Sequence, residues 1–128
     1  MPKTVLITGC STGIGHSLAL SFQKRELTVF ATARNISSMS SLPKLPNMHL
    51  TPLDVASISL VTEAFEVVKE RTGGKLDYLI NNAGRGYTML ALDSDIEGGR
   101  KMSDTSFWGV LRMIQVFSPL LMKARGRS

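Results

Sequence analysis

A group of glycines follows the first apolar run of the sequence, in a spacing that suits the binding of an anion. Residues 5–7, Val-Leu-Ile, are followed by Gly9, Gly13 and Gly15. Glycine permits a tight turn at position 9, and at positions 13 and 15 it lets the backbone come close to a ligand and to a strand. A helix that begins behind this loop directs its free N–H groups into it, which favours a phosphate. The segment predicts a diphosphate site, and a strand–turn–helix without a ligand is the alternative.

The elements that must position this loop alternate between strands and helices. Ile14, Leu18 and Phe22 recur every four residues and predict one face of a helix that ends near residue 24. Short apolar runs predict four strands, at residues 5–7, 27–32, 48–51 and 76–80. Two further helices are predicted over residues 57–71 and 103–123, and residues 37–46 are turn-rich with at most a short helix. This alternation predicts a parallel, doubly wound α/β sheet with right-handed crossovers.

Composition limits the class of protein. The chain has 128 residues, of which 43% are hydrophobic, so we expect one ordered domain. No apolar run is long enough to predict a membrane span. The single cysteine, Cys10, forms no internal disulfide and is expected to pack in the loop; this fits a reducing, cytoplasmic compartment. The net charge is +5, but aromatic residues make up only 6% and do not alternate with the basic ones, so we expect no nucleic-acid partner.

Three motifs together resemble those of the short-chain dehydrogenases/reductases, in their order and in their spacing. They are Thr-Gly-x-x-x-Gly-Ile-Gly at residues 8–15, Asp54-Val55, and Asn-Asn-Ala-Gly at residues 81–84. The resemblance covers essentially the whole chain and is greatest to members that act on steroids, retinoids and acyl-dihydroxyacetone-phosphate. It implies a single truncated domain, residues 1–128, that holds the N-terminal part of a Rossmann-like sheet, with four strands in the order 3-2-1-4.

The resemblance also implies that NAD(P) binds at the carboxyl ends of the strands. Asp54 would accept a hydrogen bond from the exocyclic amine of adenine, and the Val55 backbone would assist. Asn82 would line the ribose side and brace the fourth strand against the glycine loop, together with Ala83 and Gly84. The diphosphate and the adjacent ribose would be wrapped by Gly9, Ser11, Thr12, Gly13, Ile14 and Gly15. The structural alternatives are a carboxylate at a helix N-terminus for Asp54 and a turn residue for Asn82.

The end of the second strand indicates which cofactor is preferred. Members of this family that use NAD commonly place a carboxylate there, whereas this chain has Ala33 followed by Arg34. A guanidinium binds a 2′-phosphate through two hydrogen bonds, so NADP(H) is expected in preference to NAD(H).

The catalytic residues of the family do not match this sequence. The family uses a Ser and a Tyr-x-x-x-Lys after the long helix, where the phenol transfers the proton. Tyr78 lies in a predicted strand, Tyr87 has Ala91 four residues later, and Ser106 stands where the family has a catalytic Asn. We therefore predict no catalytic residue and no family redox activity for this chain. No metal site is predicted either, since no carboxylate spacing around the histidines suggests one.

Three functions remain open at this point. The chain is by descent an NADP(H)-dependent oxidoreductase for a hydrophobic carbonyl or alcohol, or a redox-neutral isomerase or cyclase, or a non-catalytic binding protein. The second would hold a small hydrophobic molecule in an apolar groove. A homo-oligomer, most simply a dimer, is expected through strand 76–80 or helix 103–123. That helix has a surplus of apolar residues: Phe107, Trp108, Leu111, Ile114, Val116 and Phe117.

Overall fold

The protein is an α/β sheet with helices on both faces. A computed structural model describes residues 2–11, 13–42, 45–82 and 96–124, with side chains from residue 108 onward in the last range. The elements are β1 (Thr4–Ile7), α1 (Gly13–Lys24), β2 (Thr28–Ala33), a 3₁₀ turn (Ile36–Met39), β3 (Met48–Pro52), α2 (Ile58–Thr72), β4 (Tyr78–Ile80) and α3 (Ile96–Ala124).

The four strands form one parallel sheet in the order β3-β2-β1-β4, which confirms the predicted strand order. β1 is central and pairs with β2 over four residues, from Thr4 with Thr28 to Ile7 with Ala31. On its other side β1 pairs with β4 over three residues. The Rossmann-like topology expected from the sequence is therefore present.

Each face of the sheet has its own core, because successive side chains of a strand point to opposite faces. Leu6, Phe30 and Leu79 belong to the core shared with α2 and α3. In this core the rings of Phe65 and Phe117 pack edge to face, with their centroids 5.7 Å apart. The opposite core is shared with α1 and the 3₁₀ turn, and includes Val5, Ile7, Cys10, Ala19, Val29, Ala31 and Met39. Helices on both faces make the sheet doubly wound.

The caps of α2 explain where that helix begins and ends. Ser57 precedes it, and the Ser57 side chain accepts a hydrogen bond from the Leu60 N–H. Gly73 follows it in the left-handed conformation with φ 69°, and its N–H donates to the Lys69 carbonyl. Because Ser57 supplies the N-cap, Asp54 is not the residue that caps this helix.

The structure corrects several details of the prediction. Ile14 is 54% exposed, whereas Gly15 and Ala19 are buried, so small residues rather than Ile14 form the packed face at the start of α1. α3 begins at Ile96 instead of residue 103. Phe117 is fully buried, so it does not contribute surplus apolar surface.

None of the helices in the described ranges combines the length and the apolar character needed to cross a membrane.

Candidate functional site

The candidate site lies where the direction of strand succession reverses. From β1 the chain adds β2 and then β3 on one side, and β4 lies on the other side of β1. The loops that leave β1 and β4 at their carboxyl ends therefore diverge, and such divergence creates a crevice in which open α/β sheets bind ligands. The glycine loop follows β1, and Asn81 and Asn82 follow β4.

Hydrogen bonds join the two loops that border the crevice. The Thr8 N–H donates to the Ile80 carbonyl at 3.1 Å, and the Asn82 N–H donates to Thr8 Oγ1 at 2.8 Å. The Asn82 side chain adds a third bond, from Nδ2 to the Gly9 carbonyl at 3.2 Å. Asn82 thus braces β4 against the glycine loop, while its contact with a ribose stays a prediction. Ala83 and Gly84 lie outside the described residues.

The glycine loop has a conformation that demands glycine at specific points. Gly9 and Gly13 have φ values of 69° and 66°, in the left-handed region. A Cβ at Gly15 would lie 2.2 Å from the Gly9 carbonyl oxygen and 2.6 Å from Asn82 Nδ2. Among the described residues, and leaving aside its chain neighbours and the backbone of α1, a Cβ at Gly13 would meet no atom within 4 Å. The loop is therefore closed against the protein at Gly15 and open at Gly13, where a ligand has access to the backbone.

The first turn of α1 is suited to an anion by its charge. α1 begins at Gly13 and its first turn contains no acidic residue, so nothing there opposes the positive end of the helix dipole. Ile14 projects from this turn as an exposed apolar side chain. His16 Nε2 lies 3.0 Å from Ser41 Oγ, which ties the turn to the segment after the 3₁₀ helix. Ser11 is half-buried, and Thr12 lies outside the described residues.

Cys10 has a structural role in the loop. Its N–H donates to the Thr32 carbonyl at 2.9 Å, and its thiol lies 3.3 Å from the Ile7 carbonyl oxygen. Burial raises the pKa of the Cys10 thiol to about 12, outweighing a backbone hydrogen bond that lowers it. The thiol therefore stays protonated near neutral pH and is not a nucleophile.

Arg34 stands at the carboxyl end of β2, where the sequence predicts it. The Leu53 N–H donates to the Ala33 carbonyl at 2.9 Å, which brings the ends of β2 and β3 together. Asn35 caps the 3₁₀ turn, since its side chain accepts from the Ser37 N–H at 3.1 Å. Arg34 between them is exposed, and within the described part of the chain no carboxylate pairs with its guanidinium. Its charge is therefore available to an anionic ligand.

Asp54 belongs to a tight turn between β3 and α2. Its Oδ1 accepts from the Ala56 N–H at 2.9 Å, and its carbonyl accepts from the Ser57 N–H at 2.8 Å. Among the residues that the structure describes, none donates to Oδ2. The turn therefore orients the carboxylate and leaves one oxygen for another donor. Val55 is half-buried, and its carbonyl accepts from Arg112 at 2.7 Å.

One contact and one unpaired buried atom of this region could not be predicted from the sequence motifs. Arg112 is on α3, 57 residues after its partner Val55, and no local pattern indicates that contact. Asn81 Oδ1 is buried and lacks a hydrogen-bond partner in the described ranges. The signal for Asn81 was its place beside Asn82 at the end of β4. Asn81 Oδ1 is therefore one more hydrogen-bond acceptor at this edge of the sheet, and leaving it without a donor costs free energy.

In the described part of the chain no three His, Cys, Asp or Glu side chains gather as a metal ion would require.

Comparison with known proteins decides the family. The family model for short chain dehydrogenase matches residues 3–127, which is nearly the whole chain. The chain belongs to the short-chain dehydrogenases. This agrees with the three motifs, whose described residues follow β1, β3 and β4 at the carboxyl edge of the sheet.

Relatives of the short-chain dehydrogenase family are found at substantial identity. The chain is 54% identical over 125 residues to a short-chain dehydrogenase of Penicillium ochrochloron, covering 97% of this chain and 46% of the relative. It is 44% identical over 125 residues to an NADPH-dependent 1-acyldihydroxyacetone phosphate reductase of Schizosaccharomyces pombe, covering 97% of this chain and 42% of that one. The chain thus spans less than half the length of these two relatives.

Solved structures superpose on the fold. The NADPH-bound carbonyl reductase from chicken fatty liver matches with a TM-score of 0.71 at 31% identity, over 95% of this chain and 52% of the other. An alcohol dehydrogenase of Thermococcus sibiricus complexed with 5-hydroxy-NADP matches with a TM-score of 0.78 at 26% identity. The match covers 98% of this chain and 56% of the other. The short-chain dehydrogenase fold therefore extends over almost all of this chain.

Proposed function

We propose that this chain is the NADP(H)-binding part of a short-chain dehydrogenase that acts on a hydrophobic carbonyl or alcohol. One observation carries the proposal: the crevice between β1 and β4 is bordered by a loop that is closed at Gly15 and open at Gly13. A phosphate oxygen can approach the backbone there, at the N-terminus of a 12-residue helix without acidic residues in its first turn.

Each side of the proposed site has a distinct task. The backbone of the glycine loop, Gly9 to Gly15, donates to the diphosphate, and exposed Ile14 supplies an apolar contact beside it. Asp54 Oδ2 accepts from adenine while Oδ1 holds the turn. Asn82 keeps β4 against the loop and borders the ribose. When bound, NADPH supplies the hydride for a reduction. Thr12, Ala83 and Gly84 are assigned to this site from their motifs alone.

NADP(H) is favoured over NAD(H) by Arg34. Its guanidinium is exposed at the end of β2 without a carboxylate partner in the described ranges, so a 2′-phosphate gives it two strong hydrogen bonds. The relative from Schizosaccharomyces pombe is NADPH-dependent, and the carbonyl reductase from chicken fatty liver was solved with NADPH. These neighbours support the same preference in this chain.

A homodimer is the assembly that the exposed surface favours. In the described part of the chain β4 is an edge strand that pairs with β1 alone, and edge strands tend to pair with another chain. On α3, Trp108 is 58% exposed and Ile114 is 37% exposed. We propose that this edge or this helix joins two copies around a two-fold axis.

A nucleotide titration tests the proposed function. Wild-type protein is titrated with NADPH and NADH, beside Arg34→Ala and the control Arg25→Ala. Arg25 is also exposed, but it precedes β2, at the opposite edge of the sheet. We expect NADPH to bind more tightly than NADH. Arg34→Ala should weaken NADPH by about 1–3 kcal/mol, as for a charged hydrogen bond, and should leave NADH unchanged.

The result that contradicts the proposal is equally specific. Equal wild-type affinities for NADPH and NADH refute the role of Arg34 in cofactor choice. No binding of either nucleotide refutes the proposed function of the chain itself.

A further inference from the structure

Arg112 on α3 reaches the turn that carries Asp54. Its Nη1 donates to the Val55 carbonyl at 2.7 Å. The N–H of the same peptide group, which belongs to Ala56, donates to Asp54 Oδ1 at 2.9 Å. Both polar atoms of one peptide unit are therefore engaged, the oxygen by the helix and the N–H by the carboxylate.

We propose that Arg112 is a positioning residue for the adenine side of the nucleotide site. A peptide unit is planar, so holding its oxygen also fixes the direction of its N–H. That N–H holds Asp54 Oδ1, and the direction of Oδ2 follows from it. Arg112 thus sets the orientation of the carboxylate through the Val55–Ala56 peptide, without touching the ligand.

The packing of α3 supports this assignment. Gly109, one turn before Arg112, is buried, and a Cβ there would lie 2.7 Å from Val55 Cγ2 and 3.1 Å from Val55 Cβ. The helix backbone therefore lies directly against Val55, close enough for the guanidinium to reach its carbonyl. Val55 is thus held by α3 at two places, by packing against Gly109 and by a hydrogen bond from Arg112.

The chemistry of the contact makes it a strong one. Arg112 is half-buried, and across the described residues it forms no ion pair, so its charge is directed to a neutral carbonyl. A hydrogen bond from a charged donor is shorter and stronger than a neutral one, and 2.7 Å is typical of that class. Lys123 makes a longer contact of the same kind farther along α3, donating to the Gly73 carbonyl at 3.4 Å, near the other end of α2.

This inference rests on the proposed function, and its experiment separates the two. Arg112→Met removes the donor and keeps the aliphatic stem, whereas Arg112→Lys keeps a donor. Lys123→Met is the control, because it removes a longer contact of the same kind, from the same helix to a backbone carbonyl. Affinities are measured for NADPH, for 2′,5′-ADP, which contains adenine, and for reduced nicotinamide mononucleotide, which does not. Amide hydrogen exchange at Ala56 is measured without ligand.

We expect Arg112→Met to weaken the binding of NADPH and of 2′,5′-ADP roughly tenfold, the order of one hydrogen bond from a charged group. Reduced nicotinamide mononucleotide should bind unchanged, and the Ala56 amide should exchange faster. Arg112→Lys should restore part of both effects, and Lys123→Met should show neither. Gly109→Ala, which forces α3 away from Val55 with the guanidinium intact, should weaken the same two ligands. If Arg112→Met does not fold, Gly109→Ala takes its place in the affinity measurements.

Two outcomes overturn the inference. One is an unchanged affinity of Arg112→Met or Gly109→Ala for 2′,5′-ADP when the wild type binds it. The other is unchanged Ala56 exchange in Arg112→Met. If the wild type binds no nucleotide, the proposed function fails and the adenine role of Arg112 fails with it. The exchange experiment then still reports whether Arg112 holds the Val55–Ala56 peptide.

Discussion

Adding a methyl group at Gly15 tests the geometry of the glycine loop most directly. The new Cβ would lie 2.2 Å from the Gly9 carbonyl oxygen and 2.6 Å from Asn82 Nδ2, closer than such atoms approach. Relief requires that the start of α1 and the Gly9 peptide move apart and that Asn82 Nδ2 withdraw from the new Cβ. The withdrawal of Asn82 breaks the brace between the glycine loop and β4.

The size of the effect follows from three contributions. Overpacking of this kind costs about 1–3 kcal/mol, and loss of the Asn82–Gly9 hydrogen bond adds about 1 kcal/mol. Alanine in place of glycine in a helix offsets at most about 1 kcal/mol. We therefore expect Gly15→Ala to lower the free energy of unfolding by about 1–4 kcal/mol. NADPH binding should be lost together with the loop geometry.

Two other glycines separate this clash from a general backbone effect. Gly13 and Gly73 have φ values of 66° and 69°, and a Cβ at either position meets none of the other described residues within 4 Å. Gly13→Ala and Gly73→Ala should therefore each cost about 1–2 kcal/mol through the left-handed conformation alone. Only Gly13 lies in the proposed site, so only Gly13→Ala should also weaken NADPH.

Urea unfolding followed by circular dichroism measures the stability of the three variants, and titration with NADPH measures their affinity. A Gly15→Ala protein with wild-type stability and wild-type affinity would refute the close approach of α1 to the Gly9 carbonyl. If Gly73→Ala weakened NADPH as much as Gly13→Ala, the assignment of the diphosphate to the glycine loop would be wrong.

Four further predictions follow from other parts of the molecule. Desolvation, and to a lesser degree the charge of Arg71, lower the pKa of His49 below its ordinary 6.5. The unfolded chain therefore takes up this proton first as the pH falls, so stability should decrease below about pH 6.5, and His49→Phe should reduce that decrease in urea titrations. Phe117→Ala should cost about 3–5 kcal/mol of unfolding free energy, and a loss under 1 kcal/mol would contradict its place in the core. Trp108→Glu should lower the mass found by light scattering from dimer to monomer if α3 forms the interface, whereas a monomeric wild type contradicts the dimer. The 128-residue chain should not consume NADPH with steroid, retinoid or aliphatic carbonyl substrates, because it has no Tyr-x-x-x-Lys; consumption that disappears in Tyr87→Phe would overturn this.

The strands and their order could be predicted because they depend on local patterns and on general rules of connection. The apolar runs of β1 to β3 were placed within one or two residues. The predicted β4 began too early, at Leu76, because this residue contacts α3 and does not pair with a strand. The Leu76 N–H donates to the Leu120 carbonyl of α3, so Leu76 is buried without joining the ladder.

The helices show where periodicity is insufficient. Residues 98 and 99, two glycines of low helix propensity, favoured a later start for α3, but the helix runs through them. Ile14 fitted the apolar repeat of α1, yet close packing against the glycine loop requires a residue without a side chain at Gly15. A hydrophobic pattern records which residues are apolar and not how near the backbones lie.

At the candidate site, the contact between the glycine loop and Asn82 could be predicted, whereas the binding roles of these residues stay predictions. Gly9, Gly15 and Asn82 meet as expected, with hydrogen bonds that the motif spacing alone could not specify. The contact of Arg112 with Val55 joins residues 57 positions apart on different elements, so it follows only from the packing of α3.

The pairing of β1 with β4 has a consequence for the order in which the chain folds. β4 is joined to β1 at both ends, by the Thr4 N–H to Asp77 Oδ2 at 2.8 Å and by the Asn82 N–H to Thr8 Oγ1 at 2.8 Å. These partners are 73 and 74 residues apart, whereas β1 and β2 pair across a single helix. Closing the longer loop costs more chain entropy, so β4 should dock last and set the folding rate.

That order makes the crevice a product of the final folding step. Before β4 docks, Asn82 cannot hold the Gly9 carbonyl, and the crevice has only one wall. A ligand of this crevice therefore binds only protein molecules in which β4 has joined the sheet. At saturating concentration the ligand should slow unfolding by holding β4 in place.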